Sequence, residues 1–197
     1  MLLDQLKNYK IYLASKSPRR HQLIAGMNID FEYLPLEVEE NYPANLTPAE
    51  VAEYLSQLKL SPITMEDYAP NTIFIACDTI VVLDGQIIGK PKDEEDAIAI
   101  LTRLSGKEHI VISGLTLQTP QKRITASRQT LVRFKPLSQE EISYYVSNYH
   151  PLDKAGAYGI QEWIGYVAID HVEGSFYNIM GLPTKLLWEM LEEIMEE

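Results

Sequence analysis

Apolar residues fall along the chain in short runs whose spacing switches between strand and helix periods, and the switches outline the elements. Ile11-Tyr12-Leu13-Ala14 is an apolar run of the kind a buried strand shows. Ser17-Pro18 then supplies a capping residue and a first-turn proline, the start of a helix that Gly26 ends. Phe31 to Leu34 alternates like a second strand. Thr47-Pro48-Ala49-Glu50 is a capping box opening a helix to about Lys59 or Leu60, with Val51, Tyr54, Leu55 and Leu58 on one face. The middle predicts strands over 72–76 and 80–83, an Asp84-Gly85 hairpin turn, and a return through Ile87-Ile88. Helix resumes at Asp93, with Ala97, Ile98, Ile100, Leu101 and Leu104 apolar, and stops at Gly106.

Residues 109–118 and 123–135 predict two long strands joined at Pro120-Gln121-Lys122. Ser138-Gln139-Glu140-Glu141 is a second capping box, with helix through about Val146, and Pro183-Thr184 opens an amphipathic C-terminal helix. Between those helices, 153–181 is a Gly-rich mixture of loop and strand. Hairpins interrupt any strict βαβ rhythm, so the expected fold is α/β with a mixed rather than purely parallel sheet. Neither a fixed-period repeat nor a flexible linker divides the chain, and a single domain over 1–197 is expected.

Composition narrows the function classes. The 197 residues are 46% hydrophobic and 23% charged, enough for a sizeable core, and the formal net charge is −11. A surface that acidic repels DNA, RNA and anionic lipid, so neither a nucleic acid nor a membrane is an expected partner. The apolar runs fall far short of the ~20 residues a membrane-spanning helix needs. The N-terminal residues lack the basic, apolar and small-residue regions of a secretory signal, so the expected location is the cytoplasm. One cysteine, Cys77, excludes an intramolecular disulfide, and His21, His109, His150 and His171 are too scattered for a local zinc motif. A metal, if used, is expected to be a hard cation on oxygen ligands.

Three clusters carry candidate chemistry. In Ser15-Lys16-Ser17-Pro18-Arg19-Arg20, two arginines occupy the first turn of a helix, where the helix dipole favours acids. Serine hydroxyls, guanidinium forks and free helix N–H groups there suit a phosphate; a solvated basic turn is the alternative. In Ala76-Cys77-Asp78-Thr79, a carboxylate interrupts an apolar β run. It could be a cation ligand, a general base, or a capped strand end where the chain bends. Twelve residues on, at the end of the following hairpin, stands Lys90 of Gly89-Lys90-Pro91-Lys92, which taken alone reads as a solvated helix lead-in. The third cluster is 153–161 with 174–183, whose glycines permit close backbone approach and whose Gln161 or Asn178 could read the edge of a base. Ordinary turns are the alternative there. Cys77 reads as a buried structural thiol, and His150 and His171 as surface or packing residues.

Taken together, Leu13-Ala14-Ser15-Lys16-Ser17-Pro18-Arg19-Arg20, Asp78-Thr79-Ile80-Val81 with Lys90-Pro91, the run from Asp153 to Gln161 and Asn178-Ile179-Met180-Gly181-Leu182-Pro183 resemble the Maf family of nucleoside triphosphate pyrophosphatases. The run Ala-Gly-Ala-Tyr-Gly-Ile-Gln is similar to the dTTP/UTP branch. The resemblance implies an elongated mixed sheet flanked by helices, with two lobes and a central cleft, as in inosine triphosphatase-like proteins. It implies hydrolysis of a nucleoside triphosphate to the monophosphate and pyrophosphate, with Mg²⁺ or Mn²⁺ as cofactor and a homodimer as the assembly. By motif, Asp78 would be the catalytic carboxylate and Ser17, Arg19, Arg20 and Lys90 would bind the triphosphate. Glu40, or its neighbour Glu39, and Lys59 match the family's further acid and lysine, with Glu40 and Asp78 as metal ligands. Arg19, Thr79 and Gln161 match positions tied to substrate choice. Two details depart from the pattern: Cys77 stands where alanine is common, and Glu162-Trp163-Ile164 follows Gln161 in place of more glycine-like residues. A nucleotide-responsive regulator of septum formation is a second reading, and the same chemistry on 7-methyl-GTP or another modified base a third.

Overall fold

A computed structural model describes residues 1–196. After a short helix α1 (Leu2–Leu6), strand β1 (Lys10–Leu13) runs parallel to both β2 (Glu32–Tyr33) and β3 (Thr72–Leu83). Strand β4 (Gln86–Ile88) folds back antiparallel on β3 through Asp84-Gly85, as the turn residues predict. Strands β5 (Glu108–Gln118), β6 (Arg123–Phe134) and β7 (Ile169–Glu173) complete the sheet, β7 antiparallel to β6. Among the described residues the sheet has seven strands in the order β2-β1-β3-β5-β6-β7, with β4 paired to β3. The fold is mixed α/β.

The middle differs from expectation in one respect. β3 is one continuous strand of 12 residues rather than two with a break between them. Asp78 and Thr79 are half-buried and fall between the residues paired with β1, Thr72–Ile75, and those paired with β4, Val81–Leu83. A polar pair there needs no bend in the backbone, so the capped-strand-end reading of Asp78 does not hold.

The chain divides into two compact units, each made of separate segments. The first comprises Met1–Asp78, Ser113–Arg128 and the chain from Gly181 on. It carries α2 (Pro18–Gly26), α3 (Pro48–Leu58), whose Thr47/Glu50 capping box is formed, and, after the intervening helices α4 to α7 of the second unit, α8 (Thr184–Met195). Phe74 anchors an apolar cluster with Ala14, Leu60 and Ala76, Tyr12 stacking on its ring and Tyr68 meeting it edge-on. Helix α3 lies so close to β5 that a Cβ on Gly114 would overlap the Ala52 carbonyl, which is why only glycine fits there. Beside that approach Ser56 and Thr116 share a buried hydroxyl hydrogen bond of 2.7 Å.

The second unit comprises Thr79–Ile112 and Gln129–Met180, with α4 (Glu94–Leu104), α5 (Gln139–Tyr149), α6 (Trp163–Val167) and α7 (Phe176–Met180). The Ser138/Glu141 capping box is formed, and α5 extends to Tyr149, ending on His150 in the left-handed region. The loop-rich stretch after it holds α6, β7 and α7. No helix among the described residues is long and apolar enough to cross a membrane.

His109 is 1% exposed, edge-on to the rings of Phe134 and Tyr158, with its Nε2 hydrogen-bonded to the Tyr158 hydroxyl at 2.8 Å. Burial lowers its pKa to about 4, so the folded chain keeps the ring neutral while the unfolded chain protonates it below 6.5. The stability that depends on the neutral ring is fully present above pH 6.5 and is lost as pH falls toward 4. The loss should approach about 3 kcal/mol. Urea midpoints at pH 7 and pH 4.5 check this: His109→Gln, which keeps a partner for Tyr158, should lose distinctly less stability over that interval than the parent.

Candidate functional site

The residues after β1 converge on Ser15. Ser17 is the N-cap of α2 and Pro18 its first residue, as the sequence predicts, but the Ser17 hydroxyl makes no capping hydrogen bond. Instead the Ser17 N–H donates to Ser15 Oγ at 3.2 Å. Arg20 donates from Nη1 to the same Oγ at 3.2 Å and from Nε to the Gly181 carbonyl at 2.7 Å. His21 Nε2 lies 2.6 Å from the Ser15 carbonyl. Arg19 is half-buried beside them, and the first turn of α2 contains no acidic residue. Two cationic forks at the positive end of a helix, with two serines next to them, make an environment that favours an anion with several oxygens, such as a phosphate chain.

The carboxylate of β3 is tied to a lysine. Lys59, the C-cap of α3, places Nζ 2.9 Å from Asp78 Oδ1 and on Glu40 Oε1, so one ammonium serves two carboxylates. Burial works against the charge on Lys59. The attraction of Asp78 and the hydrogen bonds to Glu40 and Asp78 outweigh it and hold the lysine pKa above its ordinary 10.5. Lys59 is therefore a fixed positive charge at neutral pH. The neighbouring Glu39 is not the acid drawn into this group: its Oε2 accepts from Asn41 Nδ2 at 3.2 Å. Glu40 and Asp78 are hard oxygen donors of the type Mg²⁺ and Mn²⁺ take. No group of three or more His, Cys, Asp and Glu side chains among the described residues could hold an ion. Two carboxylates fit a cation that completes its shell with water and phosphate oxygens, which is how Mg²⁺ is commonly held.

The remaining candidates belong to the second unit. Thr79 follows Asp78 and is half-buried; Lys90 is exposed, beyond β4. The Gly89 carbonyl beside Lys90 accepts from the Gly156 N–H at 3.1 Å, which joins the lysine segment to the 153–161 segment within this unit. Gln161 sits in a tight turn, and its Oε1 is buried with no hydrogen-bond partner among the described residues. An amide oxygen left that way is suited to accept from a ligand N–H. Asn178 Nδ2 donates to the Val111 carbonyl at 3.1 Å and to Thr130 Oγ1 at 3.0 Å, joining α7 to β5 and β6. Cys77 is buried, with its thiol donating to the Gly181 carbonyl at 3.3 Å.

Sequence reasoning passed over Tyr145 and the role of Glu162. Tyr145 Oη accepts from the Gly159 N–H at 3.0 Å and donates to Glu162 Oε2, and Lys154 Nζ lies 3.1 Å from Glu162 Oε1. The available signal was the replacement of small residues by Glu162 directly after Gln161.

Residues 10–194 match the family description "Maf-like protein". A dTTP/UTP pyrophosphatase of Porphyromonas gingivalis is 48% identical over 200 residues, covering 99% of this chain and 99% of its own length. One of Bacteroides thetaiotaomicron is 47% identical, covering 98% of this chain and 100% of its own. Among solved structures, the Ham1 protein of Staphylococcus aureus shares the fold, with a TM-score of 0.52 and 17% identity over 94% of this chain and 99% of that one.

Proposed function

The chain belongs to the Maf-like protein family, and from that membership and its site we propose that it is a nucleoside triphosphate pyrophosphatase acting on dTTP and UTP, with a house-cleaning role in the cytoplasm. Full-length similarity to relatives named dTTP/UTP pyrophosphatase supports the substrate class. The observation that carries the chemistry is the ammonium of Lys59 shared by Glu40 and Asp78.

Ser17, Arg19, Arg20 and Lys90 bind the triphosphate, offsetting its charge with guanidinium and ammonium groups. Asp78 takes a proton from a water whose oxygen attacks the α-phosphorus. The bond from that phosphorus to the bridging oxygen breaks, its electron pair stays with the oxygen, and pyrophosphate leaves. Lys59, charged at neutral pH, stands 2.9 Å from Asp78 Oδ1 and contributes charge rather than a proton. Glu40 and Asp78 would hold a divalent cation, Mg²⁺ or Mn²⁺, which supplies charge neutralisation on the phosphate oxygens when bound. Gln161 reads the base: its Oε1 accepts from the N3–H of uracil or thymine, with Thr79 and Arg19 shaping the same choice.

Pyrophosphate release from a panel of standard and modified nucleoside triphosphates, with Mg²⁺ or Mn²⁺ added, tests the reading. Turnover concentrated on dTTP, UTP and close analogues is the expected result. Equal turnover of all bases would keep the hydrolysis and remove Gln161 as reader. Silence across the panel would overturn the enzyme reading in favour of a nucleotide-responsive regulator.

A further inference from the structure

The turn that carries Gln161 closes on a single hydroxyl. The Glu162 N–H donates to the Gly159 carbonyl at 3.0 Å, so 159–162 form a β-turn with Ile160 and Gln161 at its central positions. The Gly159 N–H donates to Tyr145 Oη at 3.0 Å, and the same hydroxyl donates to Glu162 Oε2. Both ends of the turn are thereby tied to one side chain of α5. Lys154 Nζ, 3.1 Å from Glu162 Oε1 and 2.7 Å from Asp153 Oδ1, engages the second carboxylate oxygen. Gly159 makes the arrangement possible, because a Cβ there would lie 2.9 Å from Glu162 Cδ. Burial and the Glu162 carboxylate push the Tyr145 pKa far above its ordinary 10, so its hydroxyl stays a donor throughout the working pH range.

The chemistry of a carboxamide gives this clamp a purpose. Rotated by half a turn, an amide presents –NH₂ where it had presented C=O, so a mobile glutamine can pair with the N3–H of uracil or with the bare N3 of cytosine. Discrimination requires the amide to be held with one edge forward. The hydrogen bonds that tie Gly159 and Glu162 to Tyr145 fix the backbone that carries the Gln161 amide.

We propose that Tyr145 and Glu162, bridged by Lys154, are positioning residues that hold the Gln161 turn and thereby set the preference for N3–H pyrimidines over cytosine. The inference rests on Gln161 being the base reader, and the experiment separates the two. kcat and KM for UTP and CTP are measured in the parent and in Tyr145→Phe, Glu162→Gln and Gln161→Ala. Tyr145→Phe and Glu162→Gln should each lower the UTP:CTP ratio of kcat/KM by about tenfold, chiefly through a higher KM for UTP. Glu162→Gln, which preserves shape, decides the matter if Tyr145→Phe does not fold. A ratio lost in Gln161→Ala but intact in the other two, even with kcat reduced alike for both nucleotides, overturns the clamp and leaves the reader. A ratio unchanged in Gln161→Ala, or absent in the parent, overturns the reader and the clamp together.

Discussion

Asp78→Asn is expected to lower kcat for UTP hydrolysis by about 10³-fold, within the range that loss of a general base produces, while a non-hydrolysable UTP analogue still binds within a few-fold. Asparagine preserves the shape of the side chain and the continuity of β3, so the change isolates the carboxylate. It removes the proposed acceptor of the water proton and leaves Lys59 with Glu40 as its remaining acidic partner in the group. Single-turnover pyrophosphate release checks the rate and calorimetric titration the binding. A variant with turnover within threefold of the parent would show that Asp78 is not the base. One that neither turns over nor binds would place Asp78 in substrate capture instead of proton transfer.

A large loss of stability is expected from Gly114→Ala. The added methyl would overlap backbone atoms of Ala52 and Glu53, which no side-chain rotation can relieve, so α3 must lift from β5. A cost of about 3 kcal/mol or more is expected, read as a lower urea midpoint. The displacement should reach Lys59, because that residue ends α3. Activity should therefore fall further than the folded fraction alone accounts for. If stability drops by less than about 1 kcal/mol, the helix shifts freely on the sheet and the close approach has no energetic role.

The parts of the fold that were legible in the sequence are those governed by neighbours in the chain. Both capping boxes, the Ser17-Pro18 helix start and the Asp84-Gly85 hairpin follow from residues within a few positions of one another. Asp78 and the double arginine stood out because each contradicts its local setting, a charge in a β run and cations at the positive end of a helix. The continuity of β3 was not legible, since a strand's length is decided by the partners it pairs with. Nor could the sequence choose between Glu39 and Glu40. Adjacent acids look alike until the chain brings one of them to a lysine 19 positions away. The Tyr145–Glu162 contact spans 17 positions and depends on where α5 packs, so Glu162 read only as a departure from pattern.

Cys77 offers a native clock for this region. Its thiol is wholly buried and shares the Gly181 carbonyl with Arg20, and it is the one cysteine in the chain. A disulfide reagent can reach it only when this stretch of β3 opens, so the rate of colour development counts local openings rather than surface chemistry. An anion bound at the proposed phosphate cradle is expected to steady Arg20 on the carbonyl it shares with Cys77, so slower labelling of the thiol in its presence would report that occupancy.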